Sequence, residues 1–256
     1  MKIGTVISAL LLAVFTCHCS DTDGVSVYPP VDLGRWERDS TYFTLDGEPA
    51  VLLGFVAPAG TLDTQSVTSL IERVYLAGGN YLGVSTRGVS DSTSRSWRNR
   101  AGKYGVVLDT LNGGMPLAGV SRGASDFNLA VLAGSPAQAF GTLTQTGLNA
   151  IRGIRLVERY LRFQDLAVDT TLLAGDRPPA TLAARDSLGN YLIHVGGEGQ
   201  VTVRFADAAQ VPRRVTVIGY LGTQRSETLV PPYGRTFTLI SREVRGGWML
   251  ITPLAD

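Results

Sequence analysis

Apolar and polar residues follow two different periods along this chain, and the change falls near Thr181. Upstream, Val67, Leu70, Ile71, Val74 and Tyr75 recur at helical spacing, and Gly78-Gly79 follows as a stop. Residues 80–84 then predict a short buried strand. Before that helix, residues 42–45 and 50–55 predict two strands joined across Asp46-Gly47-Glu48-Pro49, a tight-turn signal between apolar runs. Strand, helix, strand with short connections is the order of a barrel or a doubly wound sheet. Residues 85–104 are polar and aperiodic, and predict a loop without fixed secondary structure. Residues 105–111 predict a strand and Asn112-Gly113-Gly114 a turn. Residues 127–140 predict a helix interrupted at Gly134-Ser135-Pro136, because Pro136 suits a first helical residue better than a helix interior. The clearest helix is 148–163, where Ile151, Ile154, Arg155, Val157, Glu158 and Leu161 form one stripe with a charged opposite side.

Downstream the period is two. Residues 191–195, 201–205, 215–220, 236–240 and 248–251 predict short strands, separated by turns such as Ser187-Leu188-Gly189-Asn190 and Gly196-Gly197-Glu198-Gly199. That pattern is an antiparallel β-sandwich of roughly 70–80 residues. The expected fold class is α+β: an incomplete (β/α) barrel-like unit over 41–177, then an antiparallel β-sandwich over 178–256.

The 256 residues carry a net charge of +1, with 44% hydrophobic and 18% charged side chains, which suits globular units. Neither nucleic acid nor an acidic partner is expected from that balance. Lys2 precedes an apolar run over 6–15, too short for a bilayer span and suited to a secretory signal. Thr16-Cys17-His18-Cys19 resembles a bacterial lipoprotein box, so lipidation is expected at Cys19 or Cys17, with residues 1–19 as signal and 20–40 as linker. A lipid anchor would place the protein in the cell envelope, at the outer membrane or cell surface; plain secretion is the alternative.

Some segments resemble the apiosidase-like and related TIM-barrel glycoside hydrolases. Gly47-Glu48-Pro49 ahead of Val51-Leu52-Leu53-Gly54 is similar to their first strand, and Ala77-Gly78-Gly79-Asn80-Tyr81 to the lead-in of their second. Ile151-Arg152-Gly153-Ile154-Arg155-Leu156 resembles their last helix. Asn190-Tyr191-Leu192-Ile193 and Gly247-Trp248-Met249-Leu250-Ile251 resemble the first and last strands of the C-terminal sandwich named in that family for collagen binding. The resemblance implies a carbohydrate or extracellular-matrix ligand. Yet a full eight-stranded barrel takes about 250 residues, and Tyr42 to Asp176 spans 135. The Asn-Glu pair that often carries the family's acid occurs nowhere.

Glycoside cleavage needs two carboxyl groups about 5–9.5 Å apart. None of the seven Glu residues is expected at the C-terminal end of a barrel strand, and Asp109, closing the strand over 105–111, is the weak catalytic candidate. Trp97, Tyr104, Tyr220 and Tyr233 are candidates for stacking on sugar rings, and Trp248 reads as core. His194 is the only histidine beyond the signal, so no metal site is expected, and no glycine-rich signature implies a cofactor. The expected function is a non-catalytic surface lipoprotein with a binding or spacer sandwich. The alternative is a minimal glycoside hydrolase, with a homodimer covering the open strand edges and completing a site.

Overall fold

A computed structural model describes residues 36–38, 43–45, 47–57, 62–111, 115–205, 212–222, 224–229 and 236–254. Cys17, Cys19 and Tyr233 lie outside the described residues, as do the signal and most of the linker.

A three-stranded antiparallel meander, β1 (Trp36–Arg38), β2 (Phe43–Leu45) and β3 (Glu48–Ala50), comes first. Glu48 and Pro49, expected in a turn, are strand residues, and Gly47 takes a positive φ at the reversal. Next come β4 (Leu52–Val56), α1 (Thr64–Leu76), β5 (Tyr81–Ser85), α2 (Asp91–Lys103), β6 (Val107–Leu111), β7 (Gly119–Ser121), α3 (Ala124–Leu132), β8 (Ala137–Phe140) and α4 (Gln145–Val157). The rest is strand: β9 (Ala167–Val168), β10 (Leu173–Ala174), β11 (Leu182–Arg185), β12 (Tyr191–Val195), β13 (Gly199–Arg204), β14 (Arg213–Gly219), β15 (Gln224–Leu229), β16 (Thr236–Ser241) and β17 (Gly247–Pro253).

Five strands form one parallel sheet in the order β6-β5-β4-β8-β7. In a closed (β/α) barrel each strand neighbours the next in sequence, and the last lies beside the first. Here β4, β5 and β6 are consecutive, and β8, the last, lies beside β4, the first. The sheet therefore keeps barrel order but is open between β6 and β7. Outward residues Leu53, Phe55, Leu82, Val84 and Phe140 share one core with Val67 and Ile71 of α1, Trp97 of α2, Phe127 of α3 and Ile151 of α4. All the described helices thus pack on the face that is the outside of a barrel.

Inward residues are small: Gly54, Gly83, Ala137 and Ala139 stand among Leu52 and Tyr81. Ala118 packs into this inward cluster, and the Leu117 amide donates to the Asp109 carboxylate at 2.9 Å. The lead-in to β7 therefore runs over the face that would line a barrel interior. Gly54 permits close packing in the sheet itself, because a Cβ there would stand 1.7 Å from the Tyr81 carbonyl oxygen.

The sandwich pairs a six-stranded sheet, β15-β14-β17-β12-β11-β9, with a three-stranded one, β10-β13-β16. Every strand expected here is present, and β9, β10, β11 and β15 are additional. The larger sheet is covered on both faces. Tyr191, Ile193, Val195, Met249 and Ile251 pack toward the smaller sheet, while Leu192, Ile218, Trp248 and Leu250 join the helix core. The order of layers is parallel sheet, helices, larger antiparallel sheet, smaller antiparallel sheet.

Three further stretches differ from the sequence expectation. The polar stretch 85–104 contains a capped helix, α2, whose Ser90 hydroxyl accepts from the Thr93 amide. Its buried stripe is Ser94, Trp97 and Ala101, correctly spaced but with a single large apolar residue. Over 127–140 the chain forms a helix and then a strand, not two helical turns: Gly134 takes φ +88, and the Pro136 carbonyl accepts from Leu52 to start β8. Finally, α4 begins at its Thr144 cap and ends at Val157, with Gly147, Ala150 and Gly153 buried beside the expected stripe, because sheets cover it on two sides.

Candidate functional site

The C-terminal ends of the parallel strands are where barrel enzymes place their chemistry. Asp109 is the central residue of β6, opposite Gly83, rather than its last. Its Oδ2 accepts from the Tyr81 hydroxyl at 2.7 Å and from the Leu117 amide at 2.9 Å. Burial, reinforced by this carboxylate, pushes the Tyr81 phenol upward, so it remains a protonated donor. One carboxylate oxygen thus ties β5, β6 and the segment crossing the inward face.

The other carboxylates near this rim are Asp63, Asp91 and Asp126, each at a helix N-terminus. Asp63 caps α1 through the Ser66 amide, and that hydrogen bond lowers its pKa, which suits a resident anion and not a proton donor. A hollow of about 570 Å³ between β4, α1 and the Thr142-Leu143 segment after β8 has Asp63 as its one carboxylate. The flanking stretches 58–61 and 112–114 lie outside the described residues and contain no Asp or Glu. Asp109 thus takes Tyr81 and Leu117 as its partners, while the other acids of this rim belong to helix N-termini.

The aromatic candidates separate. Trp97 is 1% exposed, and its indole N–H donates to Thr64 Oγ1 at 3.4 Å, joining α2 to α1; it is core, and its assignment to an irregular segment is corrected. The half-buried Tyr220 donates to Thr146 Oγ1 at 2.7 Å, with the Arg245 guanidinium over its ring at 5.3 Å, so it ties the sandwich to α4. Tyr104, at the end of α2, lines a cavity of about 420 Å³.

That cavity opens at the opposite end of the sheet, where the strands begin. It lies between the β2–β3 hairpin and the C-terminal ends of α1, α2 and α4. Arg155 fixes one wall: Nε donates to the Gly78 carbonyl at 2.7 Å, one terminal nitrogen to the Val51 carbonyl at 3.2 Å, and the other to Glu158 at 2.6 Å. Asn80 fixes the adjoining turn, accepting from the Leu53 amide at 2.8 Å and donating to the Val51 carbonyl at 3.1 Å. The Ala77-Gly78-Gly79-Asn80-Tyr81 segment is therefore a structural joint. Gly78 takes φ +79, and a Cβ on Gly79 would stand 2.7 Å from Val74. At the rim, Arg162 and Glu48 lie 3.6 Å apart. Sequence reasoning missed this cavity, whose walls come from four distant segments; the signal within reach was the Arg155-x-x-Glu158 spacing, which places both groups on one helix face.

His194 is buried between layers. Nδ1 lies 3.0 Å from the Ala180 carbonyl, Nε2 lies 3.2 Å from the Asn128 side-chain amide, and the ring meets Trp248 edge-on. Burial pushes its pKa down to about 4, so the ring is neutral near pH 7, donating from Nδ1 and accepting at Nε2. Among the described residues no group of three His, Cys, Asp or Glu is placed to hold a metal, and no helix is long and apolar enough to cross a membrane.

An open five-stranded segment of a (β/α) barrel, joined through its helices to a β-sandwich, defines the structural class. No family model matches the chain, and no curated protein does. A solved structure named as a glycoside hydrolase shares the fold with a TM-score of 0.68 over 90% of this chain and 99% of its own, at 8% identity. A GH30 endoxylanase from Clostridium papyrosolvens C71 has a TM-score of 0.34 at 8% identity, over 78% of this chain and 56% of its own. CelM2, a bifunctional glucanase-xylanase from a metagenome library, has a TM-score of 0.33 at 10% identity, over 75% and 47%. The fold is thus glycoside-hydrolase-like, and the first of these similarities carries that statement.

Proposed function

We propose that this protein is a non-catalytic relative of the barrel glycoside hydrolases, held at the cell envelope by lipid on Cys17 or Cys19, where it binds carbohydrate or matrix. The observation that carries the reading is the position of Asp109. The one rim carboxylate rooted in a parallel strand holds the crossing segment through Leu117 and Tyr81, and its potential partners stand at helix N-termini. Retaining and inverting hydrolysis both need a second carboxyl group across the scissile bond. Near-neutral charge and the glycoside-hydrolase-like fold support a neutral glycan over an ionic ligand.

The test is a hydrolysis screen on plant and host glycans beside a glycan array, using one sample of the mature protein. Binding without turnover is the expected result. Turnover that Asp109→Asn abolishes would establish the minimal glycoside hydrolase instead. Metabolic labelling with a palmitate analogue, comparing Cys17→Ala and Cys19→Ala, tests the anchor; label retained in the double variant removes it.

A further inference from the structure

The cavity at the strand-beginning end of the parallel sheet belongs to none of the chemistry expected of a barrel, yet it has the features of a built site. Its volume of about 420 Å³ falls within the range of small-molecule pockets, ~300–1,000 Å³. Its walls are held by secondary structure and by the Arg155 and Asn80 hydrogen bonds to backbone carbonyls, so little ordering is required when a ligand enters. We propose that this cleft binds a neutral saccharide, placing recognition at the end of the sheet opposite to where barrel glycosidases cleave. The proposal rests on the carbohydrate-binding reading above and assigns it a location.

The chemistry of the lining selects the ligand class. Charged groups there and just beyond come in opposed pairs: Arg155 with Glu158, Arg162 with Glu48, and Arg100 with Glu72 behind Tyr104. Among the described residues each of these charges is offset by a neighbour, which favours a neutral ligand over an ion. The same groups are planar forks, guanidinium donors and carboxylate acceptors, which suit adjacent hydroxyl groups on a ring. Between them lie apolar surfaces, Pro49, Leu161 and the rings of Tyr75 and Tyr104, which meet edge-on with centroids 5.1 Å apart. A ligand with hydroxyl edges and C–H faces matches that alternation; a lipid would make no use of the remaining donors and acceptors of the forks, and an anion would face as many carboxylates as guanidinium groups.

The experiment is calorimetry and saturation-transfer NMR on the mature chain. The probes are cello-, xylo-, manno- and galacto-oligosaccharides, with an oligogalacturonide as the acidic counterpart. Glu48 and Arg162 are 75% and 64% exposed, so Glu48→Ala/Arg162→Ala removes rim forks with little effect on folding. Tyr104→Leu removes a ring and its hydroxyl from the wall. At least one neutral oligosaccharide is expected to bind, with at least tenfold weaker Kd in both variants. If Tyr104→Leu fails to fold, the rim variant decides. Unchanged affinity in the rim variant would overturn the cleft while leaving the carbohydrate reading intact. Absence of binding to every oligosaccharide at millimolar concentration would overturn both, and preference for the oligogalacturonide would overturn the neutral class.

Discussion

The central strands of the two sheets that enclose α3 and α4 are buried by different means. The larger antiparallel sheet alternates residue by residue: Leu192 faces the helices, and Tyr191 and Ile193 face the smaller sheet. Both of its faces meet regular layers of large side chains. The parallel sheet has such a layer on its outward face only. Its inward face, which a closed barrel would fill with branched side chains from opposite strands, is instead shallow, with Gly54, Gly83, Ala137 and Ala139, and is crossed by the backbone around Ala118. The larger sheet is stabilised by side-chain volume on both faces, the parallel sheet by volume on its outward face and by closeness of backbone on its inward one. Mutations should therefore act in opposite senses: truncation should damage the first, and adding a single carbon should damage the second.

The sharpest test of that contrast is Gly54→Ala. Its Cβ would stand 1.7 Å from the Tyr81 carbonyl oxygen in the adjacent central strand. Neither strand can retreat, since β8 and β6 hold them from outside. Loss of ~5 kcal/mol or more is expected, beyond ordinary overpacking, read as failure to reach the native state in urea titrations. Near-native stability would show that the sheet is not close-packed at that position.

Trp248→Ala tests whether the halves are one folding unit. The indole lies 2% exposed in the shared core, edge-on to Phe163 and His194, and a Cβ at Gly153 would approach its Nε1 to 3.5 Å. Truncation should cost about 4 kcal/mol. It should lower one cooperative transition shared by near- and far-ultraviolet circular dichroism. Two separate transitions, with the sandwich alone surviving limited proteolysis, would mean that the interface contributes little.

These differences also explain which elements are legible in the amino-acid sequence. Strands such as 191–195 and 248–251 were legible because alternation is a local signal. The helix over 91–103 was not, because its buried stripe uses Ser94 and Ala101, and its apolar content is nearly all Trp97. The strand over 137–140 was hidden because Ala137, Gln138 and Ala139 have no strong β preference; pairing with Leu52, Leu53 and Gly54 decides the matter. At the candidate site, Asp109 was visible as a residue, but its tie to Leu117 depends on a crossing that no local pattern records.

His194 supplies a pH-dependent test of the layer contact. Its folded pKa, about 4, lies below the ordinary value of 6.5, so the unfolded chain binds its proton more readily. The contribution is complete above about pH 6.5, declines as pH falls toward 4, and levels off below. The loss is at most about 3 kcal/mol. His194→Gln should flatten stability across that window, measured by urea midpoints from pH 4 to 7. An unchanged slope would place the titration elsewhere. Asp63 and Asp169, whose pKa values are lowered by hydrogen bonds to Ser66 and Thr171, lose their contributions only below about pH 4.

The smallest effect concerns Asp109, and there two substitutions must be compared. Asp109→Ala removes the acceptor for both the Tyr81 hydroxyl and the Leu117 amide. A partly buried donor left without a partner costs ~1–3 kcal/mol, so a loss of about 2 kcal/mol is expected. Asp109→Asn keeps an oxygen at the same place and exchanges a charged acceptor for a neutral one, which should cost about 1 kcal/mol or less. A nucleophile or general base would lose function in both variants alike, because Asn can accept hydrogen bonds but cannot attack a sugar carbon or take a proton. A structural strut tolerates Asn and fails with Ala; a reacting carboxylate fails with both. Hydrogen exchange at the Leu117 amide separates the cases directly: slow in the wild type and in Asp109→Asn, fast in Asp109→Ala. Equal exchange in all three would mean that the crossing segment is held by the packing of Ala118 alone.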